Sequence, residues 1–183
     1  DRPGTRNGWY ALHLDGRPAG AYGSWKTGES HTWTAEGEPL TPTERERHRR
    51  MVAEARRERD AETARRQAAA AERAAERWEQ ARPADPRHTY LTTKQVRPHG
   101  IRQRRDLLMV PVEVDGRLSS LQFIAPDGSK LFLVGGRIAG GCYRIDGEAD
   151  RPELLIAEGF ATAASLREET GAACYVAFNA GTS

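Results

Sequence analysis

Apolar and polar positions change rhythm along the chain, and each rhythm predicts a different element. Between residues 8 and 34 they alternate. Tyr10, Leu12 and Leu14 fall on one side of an extended chain, Trp9, Ala11 and His13 on the other. A period of two is that of a half-buried strand, and Asp15-Gly16, where both positions tolerate positive φ, is a hairpin signal. The segment is therefore predicted as a β-hairpin or meander whose aromatic residues form the core of a small sheet. The competing expectation is that the aromatics around Lys26 and His31, Trp25 and Trp33 among them, stack on bases. From 42 to 82 the alternation gives way to a run of Arg, Ala and Glu with no glycine and no proline after Pro42. Thr41-Pro42-Thr43-Glu44 supplies an N-cap, a first-turn proline and the acid of a capping box, and Pro83 and Pro86 stop the run. One helix of roughly 60 Å follows. Its only large apolar residues are Met51, Val52 and Trp78, so it lacks the stripe of a coiled coil. It reads as a solvated spacer, with a DNA- or partner-contacting arm as the alternative.

From Tyr90 the rhythm tightens. "YLTTKQV" predicts a short helix. "DLLMVPVEVDGRLSSLQFIAPDGSKLFLVGG" predicts three strands with turns at Asp115-Gly116 and Asp127-Gly128, and "GCYRIDG" one more short strand. "ELLIAEG" predicts a buried strand, Ala161–Thr170 a helix closing on Gly171, and "ACYVAFNAG" a second buried strand. Strand, helix and strand over about thirty residues make a βαβ unit with a parallel pair and a right-handed crossover. The expected fold class is α+β or α/β. Four segments are expected: a β-rich stretch at 1–40, the helix at 41–83, a mixed β region at 88–150 and the βαβ unit at 151–183.

Charge adds detail to this outline. The chain carries 28 basic and 26 acidic residues, net +2, so contact with a polyanion has to come from local clustering. Between 42 and 82, twelve arginines against nine acids leave +3, with opposite charges spaced for helical pairing, as in Glu62 and Arg66. The densest cluster is "KQVRPHGIRQRR", one lysine, four arginines and a histidine in twelve residues without an acid. It is either a phosphate-facing patch or a solvated basic loop. Nearly all cations are arginine, whose planar fork suits phosphates; Lys26, Lys94 and Lys130 are the only lysines. Cys142 and Cys174 lack metal or redox spacing and read as buried thiols. With no long apolar span and no signal peptide, a cytoplasmic protein without membrane contact is expected. The chain starts without methionine and stops just after a strand, so a fragment of a longer protein is expected.

In a parallel pair, ligands sit beyond the carboxyl ends of the strands. Glu158 and Asn179 fall there, Glu158 followed at once by Gly159, where the backbone can turn sharply. A carboxylate so placed can bind a divalent cation or move a proton. It can equally serve only to stabilise the dipole of the following helix.

"LLIAEGFATAASLREETGAACYVAFNAGTS" resembles the first half of a TOPRIM domain, the metal-binding fold of bacterial-type primases and topoisomerases, and in particular the primases of plasmids and phages. The matching features are the strand ending in Glu158-Gly159, the helix, and the strand ending in Asn179-Ala180-Gly181-Thr182. "MVPVEVDGRLSSLQF", "GSKLFLVGGR" and "GCYRI" resemble, in the same order, segments of the primase core ahead of that domain, so the resemblance covers about Tyr90 to Ser183. It implies a DNA primase that makes RNA primers on single-stranded DNA from ribonucleotides, with Mg²⁺ or Mn²⁺ as cofactor and a replicative helicase, free or fused, as partner. It assigns Glu158 to the catalytic metal centre, and Gly159, Asn179 and Gly181 to the motif's turns. Lys130 and Arg137 become the best nucleotide-binding candidates, with Lys94, Arg97, Arg102, Arg104 and Arg105 as a phosphate-facing patch. The chain departs from the family at one point. The family needs an Asp-x-Asp pair on a later strand, and no aspartate follows Asp150. One carboxylate holds Mg²⁺ poorly, so the chain is expected to be catalytically incomplete. The alternative is a non-catalytic nucleic-acid- or partner-binding module on a degenerate TOPRIM scaffold. A TOPRIM nuclease fits the Tyr90–Arg144 layout less well.

Overall fold

The computed structural model describes residues 8–13, 18–24, 27–35 and 41–178. Trp25, Lys26, Asn179 and Gly181 lie outside the described residues, as do Leu14 and the Asp15-Gly16 turn. The fold is α+β. It divides into two compact units, residues 1–55 and 56–183, with the boundary inside the long helix.

In the first unit β1 (Gly8–His13), β2 (Ala19–Ser24) and β3 (Ser30–Thr34) form an antiparallel meander in that order. The alternation on β1 is as the sequence predicts, but the aromatics do not make a core. Tyr10, Leu12, Tyr22 and Trp33 are all exposed. The glycines and alanines of "AGAYGS" provide too little apolar bulk to bury against, so three strands close no interior here.

The long helix α1 spans Pro42–Glu79. Its start is the expected capping box. The Glu44 carboxylate accepts from the Thr41 N–H and hydroxyl, both at 2.8 Å, and the Glu44 N–H donates to Thr41 Oγ1 at 3.3 Å. Up to Ala69 its side chains are almost all exposed, as a spacer requires. The last turns depart from that expectation: Ala70 and Ala74 are fully buried and Trp78 packs against the cluster that holds Ala74. Here alanine lets the helix approach a sheet closely, so a segment that looks too weakly apolar to pack does so by being small.

That sheet, in the second unit, is antiparallel and runs β4 (Arg82–Pro83), β5 (Arg102–Arg104), β6 (Leu107–Val114), β7 (Arg117–Ile124), β8 (Lys130–Phe132). The short helix α2 (Thr89–Lys94) precedes β5. Asp115 and Gly116 both take positive φ in the β6–β7 turn, as the sequence predicts. "LLMVPV" is apolar without alternation because both faces of β6 are covered. Met109 and Leu121 meet the end of α1, while Leu108, Val110 and Ile124 meet the βαβ unit.

The βαβ unit consists of β10 (Leu154–Ala157), α3 (Phe160–Thr170) and β11 (Ala173–Val176). β10 and β11 are parallel, with Leu154 opposite Ala173 and Ala157 opposite Val176, and β9 (Tyr143–Ile145) pairs antiparallel on the other side of β11. Cys142 and Glu113 exchange both backbone hydrogen bonds at 2.9 Å, linking β6 to this smaller sheet. Gly171 closes α3 in the left-handed conformation. One expectation fails. β10 is an edge strand and not a buried one, with Leu154 56% and Ile156 70% exposed. Cys174 is buried and Cys142 half-buried; both are free, and burial pushes both thiols up.

Candidate nucleotide and nucleic-acid site

The carboxyl ends of β10 and β11 define one rim. Glu158 follows the last residue of β10 and is exposed there. Gly159 is next, in extended conformation, and caps α3 without any side-chain hydrogen bond. Phe160 turns inward and is fully buried, which fixes the helix N-terminus on the core. At the other strand end, Phe178 meets Phe132 of β8 edge to face at 5.9 Å.

Both lysines among the described residues come together near this rim. A Cβ on Gly159 would stand 3.3 Å from Lys130 Nζ, so the ammonium lies directly over the turn between Glu158 and α3. Lys94 and Lys130 line one shallow cleft with Tyr90, Thr93 and Asp127. The Tyr90 oxygen accepts from the Ala161 N–H in the first turn of α3. Burial pushes the Tyr90 hydroxyl up, and that hydrogen bond opposes the shift. Asp127 accepts from the Ser129 N–H at 2.9 Å and hydroxyl at 2.7 Å, which holds it below the usual carboxylate range. The cleft thus sets two ammonium groups beside the Asp127 carboxylate, and one of them, that of Lys130, also stands at the N-terminus of α3, whose positive end favours an anion.

The side chains of the basic cluster have different surroundings. The Arg102 guanidinium stacks 4.8 Å above the Trp78 ring and donates to the Trp78 carbonyl at 2.6 Å, satisfying one of the last carbonyls of α1. Arg97 pairs with Glu168 of α3 at 3.7 Å. Arg104, at the end of β5, and Arg105 after it are exposed. Arg137 lies on the loop after β8, where its Nε donates to the Ala139 carbonyl at 3.3 Å. Of the predicted cations, then, Lys94 and Lys130 share a cleft, Arg104 and Arg105 stay open, and Arg97 and Arg102 are held by structural contacts.

Sequence reasoning missed the group that seats this loop. His99 has positive φ and its Nε2 lies 2.6 Å from Glu168 Oε1, which also accepts from the Arg97 N–H at 2.7 Å. The Tyr143 hydroxyl donates to the His99 carbonyl. Tyr143 is pushed up to about 12, chiefly by burial, then by the charges of Glu113 and Asp146. For Glu168 burial works upward, but the Arg97 N–H, the His99 ring and the charges of both together hold it below 4.5. The unfolded chain therefore takes up this proton at a higher pH than the folded one does. The stability this carboxylate contributes is complete above the ordinary value of 4.5 and drains away as pH falls through the lower folded value. Glu168→Gln is expected to flatten the decline in denaturation midpoint as pH falls below 4.5, relative to the parent chain. A lone His and a lone Glu some seventy positions apart give no signal in sequence.

The residues at the rim do not by themselves make a Mg²⁺ or Mn²⁺ site. Among the described residues no three His, Cys, Asp or Glu side chains come together to hold a metal ion. Glu158 offers one carboxylate, where Mg²⁺ usually takes one or two together with substrate phosphates. Among the described residues no helix is long and apolar enough to cross a membrane.

No protein-family model matches the chain. No solved structure matches it either. Curated proteins do, among them two called DNA primase TraC, both from Escherichia coli. One is 32% identical over 189 residues, covering 99% of this chain and 18% of that protein; the other is 31% identical over 188 residues, covering 98% and 13%. The chain thus spans less than a fifth of the length of the curated relatives it matches. Nearly all of it, the N-terminal sheet and α1 included, is similar to one segment of the TraC primases, in agreement with the plasmid-type primase resemblance carried by its sequence.

Proposed function

We propose that this chain is the part of a plasmid-type DNA primase that receives a ribonucleotide. The observation that carries the reading is the meeting of Lys130 with the Glu158-Gly159 turn at the carboxyl edge of a parallel strand pair. In support stands the similarity of 98–99% of the chain to proteins called DNA primase. In this reading β10, α3 and β11 are the first half of a TOPRIM unit. Lys130 and Lys94 hold nucleotide phosphates at the N-terminus of α3, and Arg104 and Arg105 steer the single-stranded template. The reaction is nucleotidyl transfer: a primer 3′-hydroxyl oxygen bonds to the α-phosphorus, the bond to the β-phosphate oxygen breaks, and pyrophosphate leaves with its electron pair. In this reading Glu158 takes the hydroxyl proton. Divalent ions and a replicative helicase, free or fused, belong to the same proposal. The ions require carboxylates that the described residues do not bring to this rim.

Phosphate capture is testable on the chain alone. In a titration with ATP, Lys130→Ala is expected to weaken binding roughly tenfold, the order of one charge-assisted hydrogen bond. Equal affinity in the two proteins would remove Lys130 from the site.

A further inference from the structure

The three-stranded sheet of the first unit presents Tyr10, Leu12, Tyr22 and Trp33 to solvent. Tyr10 is opposite Tyr22, and Tyr22 opposite His31, so three rings form one row across β1, β2 and β3. Tyr10 is 84% and Tyr22 54% exposed; the Tyr22 and His31 rings stack with centroids 5.3 Å apart and planes 28° apart. A second row on the same face holds Leu12 and Trp33, half exposed, on either side of Gly20. A Cβ on Gly20 would stand 2.8 Å from the Ala11 carbonyl, so this position stays without a side chain and the face keeps a shallow notch. The opposite face is built differently. It carries Ala11, Ala19 and Ala21, and the Trp9 ring lies across Gly23, where a Cβ would come within 2.7 Å of its Nε1.

We propose that the Tyr10–Tyr22–His31 face is a stacking platform for the unpaired bases of single-stranded DNA. The proposal rests on the primase reading for the identity of the strand. Three features favour this occupant. Every base offers a flat π-face, and a row of exposed rings is the surface that takes successive bases. A duplex keeps its base faces covered. The three strands contain no Asp, Glu, Lys or Arg, so the face neither repels phosphates nor offers charged partners to a protein surface. The exposed rings also present only on the order of a few hundred Å², well short of the roughly 1,200 Å² that a stable second copy would cover. The similarity to DNA primases includes this sheet.

The face acts by stacking and the basic side chains of the second unit by charge, so two measurements separate them. Fluorescence anisotropy with labelled oligothymidylate, on the full chain, is expected to show at least tenfold weaker binding for the double variant Tyr10→Ala, Tyr22→Ala, at about 1–3 kcal/mol per stacked base. The slope of affinity against salt should not change, since no phosphate contact is lost. Tyr22→Phe, which keeps the ring, should bind within about twofold of the parent. Unchanged affinity in the double variant, or a Tyr22→Phe loss as large as that of Tyr22→Ala, overturns the platform. So does sedimentation showing a parent dimer that the double variant abolishes, because the occupant is then a second copy. Full primer synthesis by Glu158→Gln, together with loss of oligothymidylate binding in the double variant, would sink the primase mechanism and leave the platform standing.

Discussion

Phe160→Ala is expected to lower the stability of the second unit by about 3–5 kcal/mol. Phe160 is the first residue of α3 and fully buried. It belongs to a cluster that joins α2 (Tyr90, Leu91), the large sheet (Leu108, Val110, Ile124) and β11 (Cys174, Val176), with the Tyr143 ring 6.4 Å away. Truncation removes the transfer free energy of an aromatic ring and leaves a cavity where α2, the large sheet and β11 meet. Because Gly159 and Glu158 immediately precede it, the same change loosens the rim. Denaturant unfolding of the 183-residue chain checks this, with Leu131→Ala, at 74% exposure, as the control expected to stay within about 0.5 kcal/mol. A shift no larger than the control's would show that α3 is not anchored there.

How much of this was legible in the sequence follows from where the signal was local. The Thr41–Glu44 capping box, the Asp115-Gly116 turn, the Gly171 helix end and the strand–helix–strand order of 154–176 all depend on residues within a few positions of each other, and the structure has them all. What failed depends on which surface meets which. Tyr10, Tyr22 and Trp33 look like core residues by type, but the strands around them carry too little bulk to enclose them. The end of α1 looks like spacer by composition, but Ala74 lets it lie against Met109 of β6 and Leu121 of β7. β10 reads as buried because it is apolar, yet Ile156 is open on an edge strand. At the site, Glu158 and its exposed rim could be read from the strand end followed by glycine. That Lys130 would reach Gly159, that Arg102 would be spent on Trp78, and that Arg97 and His99 would converge on Glu168 are tertiary facts with no trace in spacing.

The largest functional effect is expected at Glu158. Gln keeps the size and shape of the side chain, removes its charge and replaces one acceptor oxygen by an amide donor. Glu158 is exposed, so the exchange carries no burial cost and the fold should be untouched. If the carboxylate takes the proton of the attacking hydroxyl, or helps hold an ion beside the phosphates, its loss removes an interaction made in the transition state, and the rate falls roughly 100-fold or more. If it only favours the N-terminus of α3, the loss is a few tenths of a kcal/mol in stability and nothing in rate. Primer synthesis on single-stranded DNA by the complete protein that contains this segment, parent against Glu158→Gln, therefore separates the two roles. A drop of about two orders of magnitude with an unchanged melting profile is the predicted result; primer synthesis at the parental rate would contradict the account.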